Sequence, residues 1–335
     1  MPKKKKTGGQ VSENTKIVLD YLKKYPSTPS RSLAKLIEKD FPYLYKTSET
    51  YYTTLRRLRG EMGAASKERS RNAGILVEKV QMPESFSETR TLFKIPITIK
   101  KLGVMGDQHI PYHDVRAIEV ALDQFEKEEV DAIFLNGDLL DFYQLSSHEK
   151  DPRKARFKEE IEAGKQFFKY LRSRFPNIPI YFIPGNHENR FERFLRNKAA
   201  EFLGLDEFRL DVLLEVGAHR IEYIPFRTNI LFGDLLIEHG DKIPGAGGVV
   251  PARTALMRFK RNIMVNHFHK TSTTTQRIFD VEKEVVIRGY SLGCLCELSP
   301  EYLEVNEWNH GFAILTRTGD QVAVSNYKIE NGVIL

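Results

Sequence analysis

The segment Leu102-Gly-Val-Met-Gly-Asp-Gln-His109 changes abruptly from an apolar run to an aspartate and a histidine two positions apart. Such a run predicts a short buried strand, and open α/β sheets present their ligands at the carboxyl ends of strands. At a strand end the side chains of Asp107 and His109 can lean to the same side. A carboxylate beside an imidazole suits a transition metal such as Mn, Fe or Zn. One Asp-x-His pair occurs often by chance, so this interpretation depends on the rest of the chain.

Four further apolar runs follow the same rule, because residue types that bind metals come directly after each of them. The motifs after these runs are Gly137-Asp138-Leu139-Leu140-Asp141, Gly185-Asn186-His187-Glu188, His239-Gly240-Asp241 and Asn266-His267-Phe268-His269. A turn aspartate or a solvated loop histidine explains any one motif about equally well. That explanation is poor for five motifs in series. The sequence therefore predicts a metal site built from strand ends.

The five motifs in this order resemble the calcineurin-like metallophosphoesterases, whose pattern is D-x-H, G-D-x-x-D, G-N-H-[DE], a lone H and G-H-x-H. The first four blocks match letter for letter, and the resemblance spans about residues 100–270. Asn266 replaces the usual glycine, and Phe142 stands where many members have an arginine, which removes a possible phosphate-binding guanidinium. The resemblance implies an α/β fold for residues 100–335, a four-layer αββα sandwich that hydrolyses phosphoester bonds.

By this resemblance, two divalent transition-metal ions bind through seven side chains. Asp107, His109 and His269 hold the first ion, Asp138 bridges the two ions, and Asn186, His239 and His267 complete the second site. Mixed aspartate, histidine and asparagine ligands favour Mn, Fe or Zn over Mg, which prefers oxygen atoms alone. The resemblance points to manganese first, with nickel as a further option.

The resemblance also gives roles to three residues that lie beside the ligands. His187 protonates the leaving oxygen or steadies the phosphorus, Glu188 keeps the His187 imidazole in the required tautomer, and Asp141 hydrogen-bonds close to the metals. The nucleophile is then a water molecule activated by the metals.

Length and composition restrict the class of protein. A chain of 335 residues with this composition has room for two globular domains, and its apolar runs are too short to span a membrane. The lysine-rich start has no apolar segment behind it, unlike a signal peptide. Cys294 and Cys296 are too few for a disulfide framework, and their spacing predicts core packing on one face of a strand. We therefore expect a cytoplasmic protein with no membrane partner, in the host cytoplasm if a phage or mobile element encodes it.

The charge is distributed unevenly along the chain. Of the formal net charge of +6, residues 1–100 carry +11 and residues 101–335 carry −5. This asymmetry predicts a polyanionic partner, such as DNA, for the N-terminal part, with a solubilising basic tail as the alternative. Residues 1–12 are expected to form a disordered basic tail.

Residues 13–75 show three helical patterns that resemble a helix-turn-helix or winged-helix domain. Apolar residues recur at helical spacing, and Ser30 and Ser48 are expected to cap the second and third helices. Arg56 and Arg57 lie on the outer side of the third helix, and with Arg59 they are the candidate contacts to nucleic acid. A charged face that is simply solvated is the alternative.

The connection between the two parts has two interpretations. Residues 63–74 are small and charged, which predicts a linker or loop, and residues 75–80 and 91–99 are strand-like. Pro96 would confine the second of these strands to a sheet edge. The strands form a wing hairpin on the first domain or lead into the second, so residues 76–99 are assigned as linker or wing hairpin. From residue 100 strands alternate with helices, and from residue 221 strands dominate, which predicts layers around a second sheet.

Three functional classes fit these observations. The first is a DNA-processing enzyme, a nuclease or a DNA-end phosphatase, whose basic N-terminal domain holds the DNA. The second is a phosphatase or phosphodiesterase that acts on nucleotides or phosphoproteins. The third is a non-catalytic DNA-binding regulator on a decayed scaffold, against which the complete set of ligand positions argues. The sequence leaves the oligomeric state and the choice between monoesters and diesters open.

Overall fold

The computed structural model describes residues 12–72, 82–85, 91–147, 150–244, 249–279, 284–300, 303 and 305–335. The chain divides into two compact units, Met1–Ser87 and Glu88–Leu335. The sequence placed these limits at residues 75 and 100. The predicted disordered tail lies outside the described residues except for Ser12, and the predicted strand at residues 75–80 lies outside them entirely.

The smaller unit is a bundle of short helices. They are α1 (Glu13–Lys24), α2 (Ser30–Asp40), α3 (Ser48–Leu58) and α4 (Ala64–Asn72). The apolar residues predicted from helical spacing form its core, in which Val18, Leu33, Ile37 and Leu55 are all fully buried. Ser30 and Ser48 were expected to be N-caps, but each is the first residue of its helix, after Pro29 and Thr47. The Ser30 hydroxyl is already occupied, because it bonds the side chains of Glu61 and Arg59.

Helix α4 corrects the prediction that residues 63–74 are a linker. Its sequence, Ala-Ala-Ser-Lys-Glu-Arg-Ser-Arg-Asn, has no apolar stripe from which a helix is predicted. Polar contacts attach it instead: the hydroxyls of Ser66 and Ser70 both donate to the carbonyl of Arg57 near the end of α3. Carbonyls at a helix end lack intrahelical partners, so these two serines satisfy a group that α3 leaves open.

The larger unit contains two β-sheets and the helices that cover them. In chain order its elements are β1 (Leu92–Lys94), β2 (Lys101–Met105), α5 (Val115–Lys127), β3 (Ala132–Asn136), α6 (Phe157–Arg174), β4 (Ile180–Ile183), α7 (Glu188–Lys198), α8 (Leu210–Leu213), β5 (Ile221–Tyr223), β6 (Asn229–Phe232), β7 (Leu235–Glu238), α9 (Pro251–Phe259), β8 (Ile263–Val265), β9 (Ser272–Phe279), β10 (Glu284–Ser291), β11 (His310–Thr318), β12 (Gln321–Glu330) and β13 (Val333–Ile334). The described part of this unit has no helix that is both long and apolar enough to cross a membrane, and neither has that of the smaller unit.

Strand β1 resolves the two interpretations of residues 91–99. It pairs in parallel with β6, with Phe93 beside Ile230, and it forms the edge of a sheet in the larger unit. Residues 92–94 therefore lead into the second domain and are not a wing. Pro96 follows this edge strand, as its missing N–H requires.

The strand order places the carboxyl ends of the central strands together. One sheet has the order β13-β12-β11-β2-β3-β4-β5 and the other β1-β6-β7-β8-β10-β9. In the first sheet β2, β3, β4 and β5 run parallel, and Leu135 lies beside both Met105 and Phe182. In the second sheet β7 and β8 run parallel, with Glu238 beside Val265. The five segments that carry the predicted ligands begin where these parallel strands end.

Alternating side chains build the four layers that the sequence predicts. Val104, Phe134, Ile237 and Met264 point into a core between the two sheets. Their neighbours along the strands point outward. On the seven-stranded sheet Ile133, Leu135 and Phe182 pack with Phe125, Phe168 and Leu171 of the covering helices, and on the six-stranded sheet Leu236, Ile263 and Val265 pack with Ala255 and Leu256 of α9. Alternate residues of each strand thus pack on opposite faces of its sheet, one face against the other sheet and one against the helices. This arrangement confirms the αββα sandwich.

Candidate active site

Most of the predicted ligands have an unusual backbone conformation. Asp107, His109, Asp138, His267 and His269 have φ angles of 54°, 50°, 51°, 72° and 57°. Residues other than glycine rarely adopt this left-handed region, although aspartate and histidine do so more often than most. Strained backbone of this kind is concentrated at functional sites. Each left-handed residue turns the chain sharply at or shortly after the strand end.

Backbone hydrogen bonds hold the five segments against each other. The N–H groups of Asp107 and His109 donate to the carbonyls of Gly137 and Asp138, which joins the segments after β2 and β3. The two sheets are joined at this point as well, because the Asn136 side chain donates to the carbonyl of Glu238 and to Oδ1 of Asn266. Asn266, which replaces the usual glycine, therefore extends the link between the sheets.

Gly185 is required where two of these segments meet. A Cβ atom at this position would lie 2.2 Å from Oδ1 of Asp138 and 2.6 Å from its backbone nitrogen. No real Cβ atom approaches so closely, so the third motif needs glycine in order to lie against the second.

The first predicted ligand group converges from the segments after β2 and β8. Nε2 of His109 lies 3.1 Å from Nε2 of His269, and Oδ1 of Asp107 lies 3.8 Å from the latter atom. Two ring nitrogens that bind one ion at about 2.0–2.1 Å are roughly 3 Å apart when the bonds are at right angles. Among the described residues none donates a hydrogen bond to Asp107 Oδ1, although this atom is buried. A cation between these three atoms would satisfy all of them.

The second predicted group surrounds Asp138. Oδ2 of Asp138 lies 3.0 Å from Nε2 of His239 and 4.0 Å from Nε2 of His109, which is the central position that a bridging carboxylate needs. Nε2 of His239 also lies 3.1 Å from Oδ1 of Asn186, while its Nδ1 lies 2.8 Å from the carbonyl of Asn136. Nδ1 therefore carries a proton and Nε2 is the ligand atom. His267 completes the cluster with Asp138 and His239.

The pKa values of the side chains in both groups also agree with the binding of cations. Burial and neighbouring imidazoles lower the pKa of His267 to about 4 and that of His269 far below its ordinary value, so both rings are neutral and offer lone pairs at pH 7. Burial, together with Asp138, raises the pKa of Asp107 to about 6. For His239 burial opposes the charged form, but Asp138 and Asp107 outweigh it and raise the pKa to about 10. Metal ions would supply the positive charge that the buried carboxylates attract.

His187 has two partners that fix its ring. Its Nδ1 lies 2.8 Å from the carbonyl of Asp141 and 3.2 Å from Oδ1 of the same residue. Its Nε2 accepts a hydrogen bond of 2.9 Å from Nη2 of Arg190, whose Nη1 donates to the same Asp141 carbonyl. Because an arginine can only donate, Nε2 of His187 is unprotonated in this arrangement and the ring proton is on Nδ1.

The structure corrects the expected role of Glu188. Its carboxylate accepts the backbone N–H groups of Gly185, Asp138 and Leu140 at 2.7, 3.0 and 2.7 Å, and it is almost fully buried. Asp141 takes the orienting role that was expected of Glu188. Oδ1 of Asp141 lies 3.0 Å from Nδ1 of His109 as well as close to His187, and although burial opposes ionisation these contacts hold its pKa well below the usual range.

The profile of the calcineurin-like phosphoesterases matches residues 100–281, which is more than half of the chain. The chain belongs to this family. It is therefore a phosphoester hydrolase, and the dependence of the family on two metal ions agrees with the candidate ligand clusters.

Similar proteins are known from a phage and from eukaryotes. Gene 54 protein of Mycobacterium phage D29 is 24% identical over 238 residues, which cover 67% of this chain and 91% of that protein. Wild-type Vps29 with Zn²⁺ from Entamoeba histolytica is 14% identical with a TM-score of 0.38, over 70% of this chain and 96% of its own. A dimetal phosphatase from Danio rerio is 11% identical with a TM-score of 0.32, over 68% of this chain and 96% of its own.

The position at which many phosphoesterases of this family have an arginine is an apolar packing position here. Phe142 is fully buried, and its ring stacks on that of Phe157 with 5.4 Å between centroids and lies 6.2 Å from that of Phe191. A guanidinium nevertheless reaches this place, because Arg190 of α7 bonds the carbonyl of the preceding residue, Asp141. The pattern of the second motif could not reveal this arginine, since it is 48 positions further along the chain.

Sequence reasoning also missed Cys296 and Trp308, which have no recognised motif around them. Sγ of Cys296 lies 3.9 Å from Nδ1 of His269, and the Trp308 ring lies 4.2 Å from the His269 ring between centroids. Both cysteines are free and buried, as core packing predicts, but they lie after β10 in isolated bridges and not in the strand that their spacing predicted.

The three candidate nucleic-acid arginines of the smaller unit differ in their surroundings. Arg57 is exposed. Arg56 is partly exposed, lies 3.5 Å from a carboxylate oxygen of Glu61 and stacks on Tyr52. Arg59 has a structural role that contradicts its assignment, because its guanidinium donates to the carbonyls of Pro26 and Thr28 and to Ser30 Oγ in the connection between α1 and α2. Arg57 is therefore the best placed of the three to contact a partner.

Proposed function

We propose that this protein is a manganese-dependent phosphoesterase that acts on DNA, as a nuclease or as a DNA-end phosphatase. The observation that carries the hydrolytic part is the convergence of seven ligand side chains and His187 at the ends of five strands. Manganese is proposed because nitrogen and oxygen ligands are mixed, and iron, zinc or nickel would fit a similar set.

The chain's own residues divide the chemistry between them. Bound metal ions supply a nucleophile from water at neutral pH and neutralise the charge of the phosphate. Asp107, His109 and His269 would hold one ion, Asn186, His239 and His267 would hold the other, and Asp138 lies between the two groups. Asp141 accepts the Nδ1 proton of His187, so Nε2 faces the reaction. To protonate the leaving oxygen, Nε2 would first take up a second proton from solvent, pass it to that oxygen and return to the neutral form. Arg190 occupies Nε2 in this arrangement and is free to bond phosphate oxygens once a substrate enters.

The proposal that the substrate is DNA depends on the smaller unit. Residues 1–87, which form this unit, carry a net charge of +9, and Arg57 near the end of α3 is exposed. An excess of positive charge attracts the phosphates of nucleic acid. Both cysteines are free thiols, which suits the cytoplasm, where we place this enzyme.

A substrate panel with Mn²⁺ tests the proposal. The substrates are bis-p-nitrophenyl phosphate, p-nitrophenyl phosphate, single- and double-stranded DNA, RNA, a mononucleotide and a phosphopeptide. We expect DNA to be hydrolysed best among the biological substrates, and Asp138→Asn to abolish turnover with every substrate. Metal analysis should give about two ions per chain. If the enzyme hydrolyses the mononucleotide or the phosphopeptide best, that class is the substrate in place of DNA. If the protein binds DNA but hydrolyses none of the substrates, it is a regulator.

A further inference from the structure

A cavity of about 450 Å³ opens beside the first ligand group. His109, Asp141 and His269 form the side that faces the candidate metal site. A substituent of a phosphoester held at that site would have room to extend into the cavity. The volume is within the range of about 300–1,000 Å³ that is usual for small-molecule pockets. The chemistry of the other walls consequently indicates which substituent this enzyme accepts.

Three aromatic rings line the rest of the cavity, those of Tyr112, Tyr143 and Trp308. The two tyrosine rings are 6.3 Å apart between centroids and inclined at 68°. The Trp308 ring stands edge-to-face against the His269 ring at 4.2 Å. Aromatic walls of this kind bind flat rings, because a flat ring gains contact on its whole face and stacks.

Hydrogen bonds hold the backbone on both sides of Trp308 and the hydroxyl of Tyr143. The backbone N–H of Trp308 donates to Oδ1 of Asn306, whose side-chain amide donates to the carbonyls of Leu298 and Leu303. On the other side of Trp308, Asn309 donates its N–H to the carbonyl of His269. The hydroxyl of Tyr143 accepts the N–H of Asp151. Rigid walls reduce the entropy that is lost on binding, so these anchors favour recognition of a rigid group.

Away from the side that faces the candidate metal site, the cavity is lined by one cation and one anion, Lys154 and Glu297. Nζ of Lys154 lies 5.1 Å from the centre of the Tyr143 ring, and Glu297 lines the cavity with the opposite charge. A polyphosphate chain would require several cations here, whereas a neutral ring with polar edges can bond both charged side chains.

We infer that this cavity binds a nucleobase of the nucleotide whose phosphate lies at the metal site. The inference rests on the proposed phosphoesterase function and narrows its substrate to a nucleotidyl ester. The inference is also compatible with a DNA substrate. A base that leaves its stack at the cut site would find a new stacking partner in the aromatic wall.

Two chromogenic esters test this inference in the full-length enzyme with Mn²⁺. One is thymidine 5′-(p-nitrophenyl phosphate), and the other is the same ester of 1,2-dideoxyribose, which lacks only the base. The ratio of the two kcat/KM values measures the contribution of the base and is insensitive to changes at the metal site. We expect a ratio well above one, and Trp308→Ala should reduce it by about five- to a hundredfold, the size of one stacking contact. Trp308→Phe should retain most of the preference. Phe279→Ala, which removes an exposed aromatic ring on β9, is the control and should leave the ratio unchanged.

A second readout does not depend on turnover. Trp308 is the single tryptophan of the chain, so quenching of its fluorescence reports occupation of this cavity. Thymidine 5′-monophosphate should quench it, and 2-deoxyribose 5-phosphate should not. Oligonucleotides with and without one abasic position at the cut site then show whether the base of a polynucleotide is read in the same way. Equal kcat/KM for the two chromogenic esters, or the same ratio in Trp308→Ala and Phe279→Ala, would overturn the nucleobase inference and leave the phosphoesterase function intact. If the enzyme hydrolysed neither ester, the nucleobase inference and the proposed phosphoesterase function would both be overturned.

Discussion

Replacing Glu160 with glutamine is expected to stabilise the protein at high pH and to leave its stability unchanged at low pH. Glu160 lies in α6 and is fully buried. Its Oε1 accepts the N–H of Tyr143 at 3.1 Å, and its Oε2 has no hydrogen-bond partner among the residues that the structure describes. Burial, and the charge of Asp141 nearby, raise the pKa of Glu160 from an ordinary value of 4.5 to about 8, although backbone N–H groups and Arg190 lower it in part. Glu160 is therefore protonated at neutral pH.

The sign and size of the effect follow from this shift. The folded protein holds the Glu160 proton up to about pH 8, whereas the unfolded chain releases it near pH 4.5. The stabilisation is therefore complete below pH 4.5 and is lost progressively as the pH rises to about 8. Each pH unit in this window corresponds to about 1.4 kcal/mol, so the loss is at most about 5 kcal/mol. Glutamine resembles the protonated acid and still accepts the Tyr143 N–H, so the variant lacks this loss.

Urea unfolding followed by tryptophan fluorescence measures the effect in the larger unit, because the only tryptophan in the chain is Trp308. The comparison is made on chelator-treated protein at about pH 5, 7 and 9, where the difference between variant and wild type should grow from near zero to several kcal/mol. Glu162→Gln on the same helix is the matched control, since Glu162 is exposed. A difference between Glu160→Gln and wild type that is constant with pH would refute a protonated Glu160.

Three further predictions concern the active site and the smaller unit. His187→Ala should lower turnover by about 10²–10⁴-fold with unchanged metal content, and loss of the metals would identify His187 as a ligand. Glu188→Ala should destabilise the larger unit by about 3 kcal/mol or more in urea, because three buried N–H groups lose their acceptor, whereas the exposed Glu192→Ala on the same helix should change stability little. Arg57→Glu should weaken DNA binding in fluorescence anisotropy and reduce the slope of log affinity against log salt by about 1. The exposed Arg288→Glu makes the same change of charge in the larger unit, and an equal effect of both variants would contradict a DNA site on α3.

The convergence of the candidate ligands could be predicted because each of them follows a local rule. A buried strand in a parallel sheet is almost wholly apolar, so a polar residue directly after it marks the strand end. Five strand ends placed the side chains of His109 and His269 in one cluster although they are 160 positions apart. The alternation of inward and outward residues predicted the layers in the same way. The strand ends and the layers could be predicted because both depend on the spacing of apolar and polar residues along the sequence.

What could not be predicted depends on contacts that have no periodic pattern. Helix α4 is held by serine hydroxyls, so a search for apolar spacing finds no helix there. Arg59 appeared to be a surface cation, but its guanidinium reaches carbonyls about thirty positions earlier in the chain. Trp308 lies in an irregular segment without a motif, and only the folded chain places it beside His269. In each case one side chain bonds a distant backbone group or ring, and spacing along the chain carries no information about it.

The third motif shows why one short segment can set several properties of the site. His187 precedes α7, and Arg190 follows it at a spacing of three, so the two side chains lie on one face of the helix and bond each other. Glu188 is rotated by about 100° from His187, and its carboxylate points to the backbone of the second motif instead. Phe191, one position after Arg190, packs in the apolar core. A one-residue insertion after Glu188 would move Arg190 away from His187 by the same rotation while leaving the metal ligands in place. The spacing from Asn186 to Arg190 therefore places a candidate metal ligand, the His187 ring and the Arg190 guanidinium within about one helical turn.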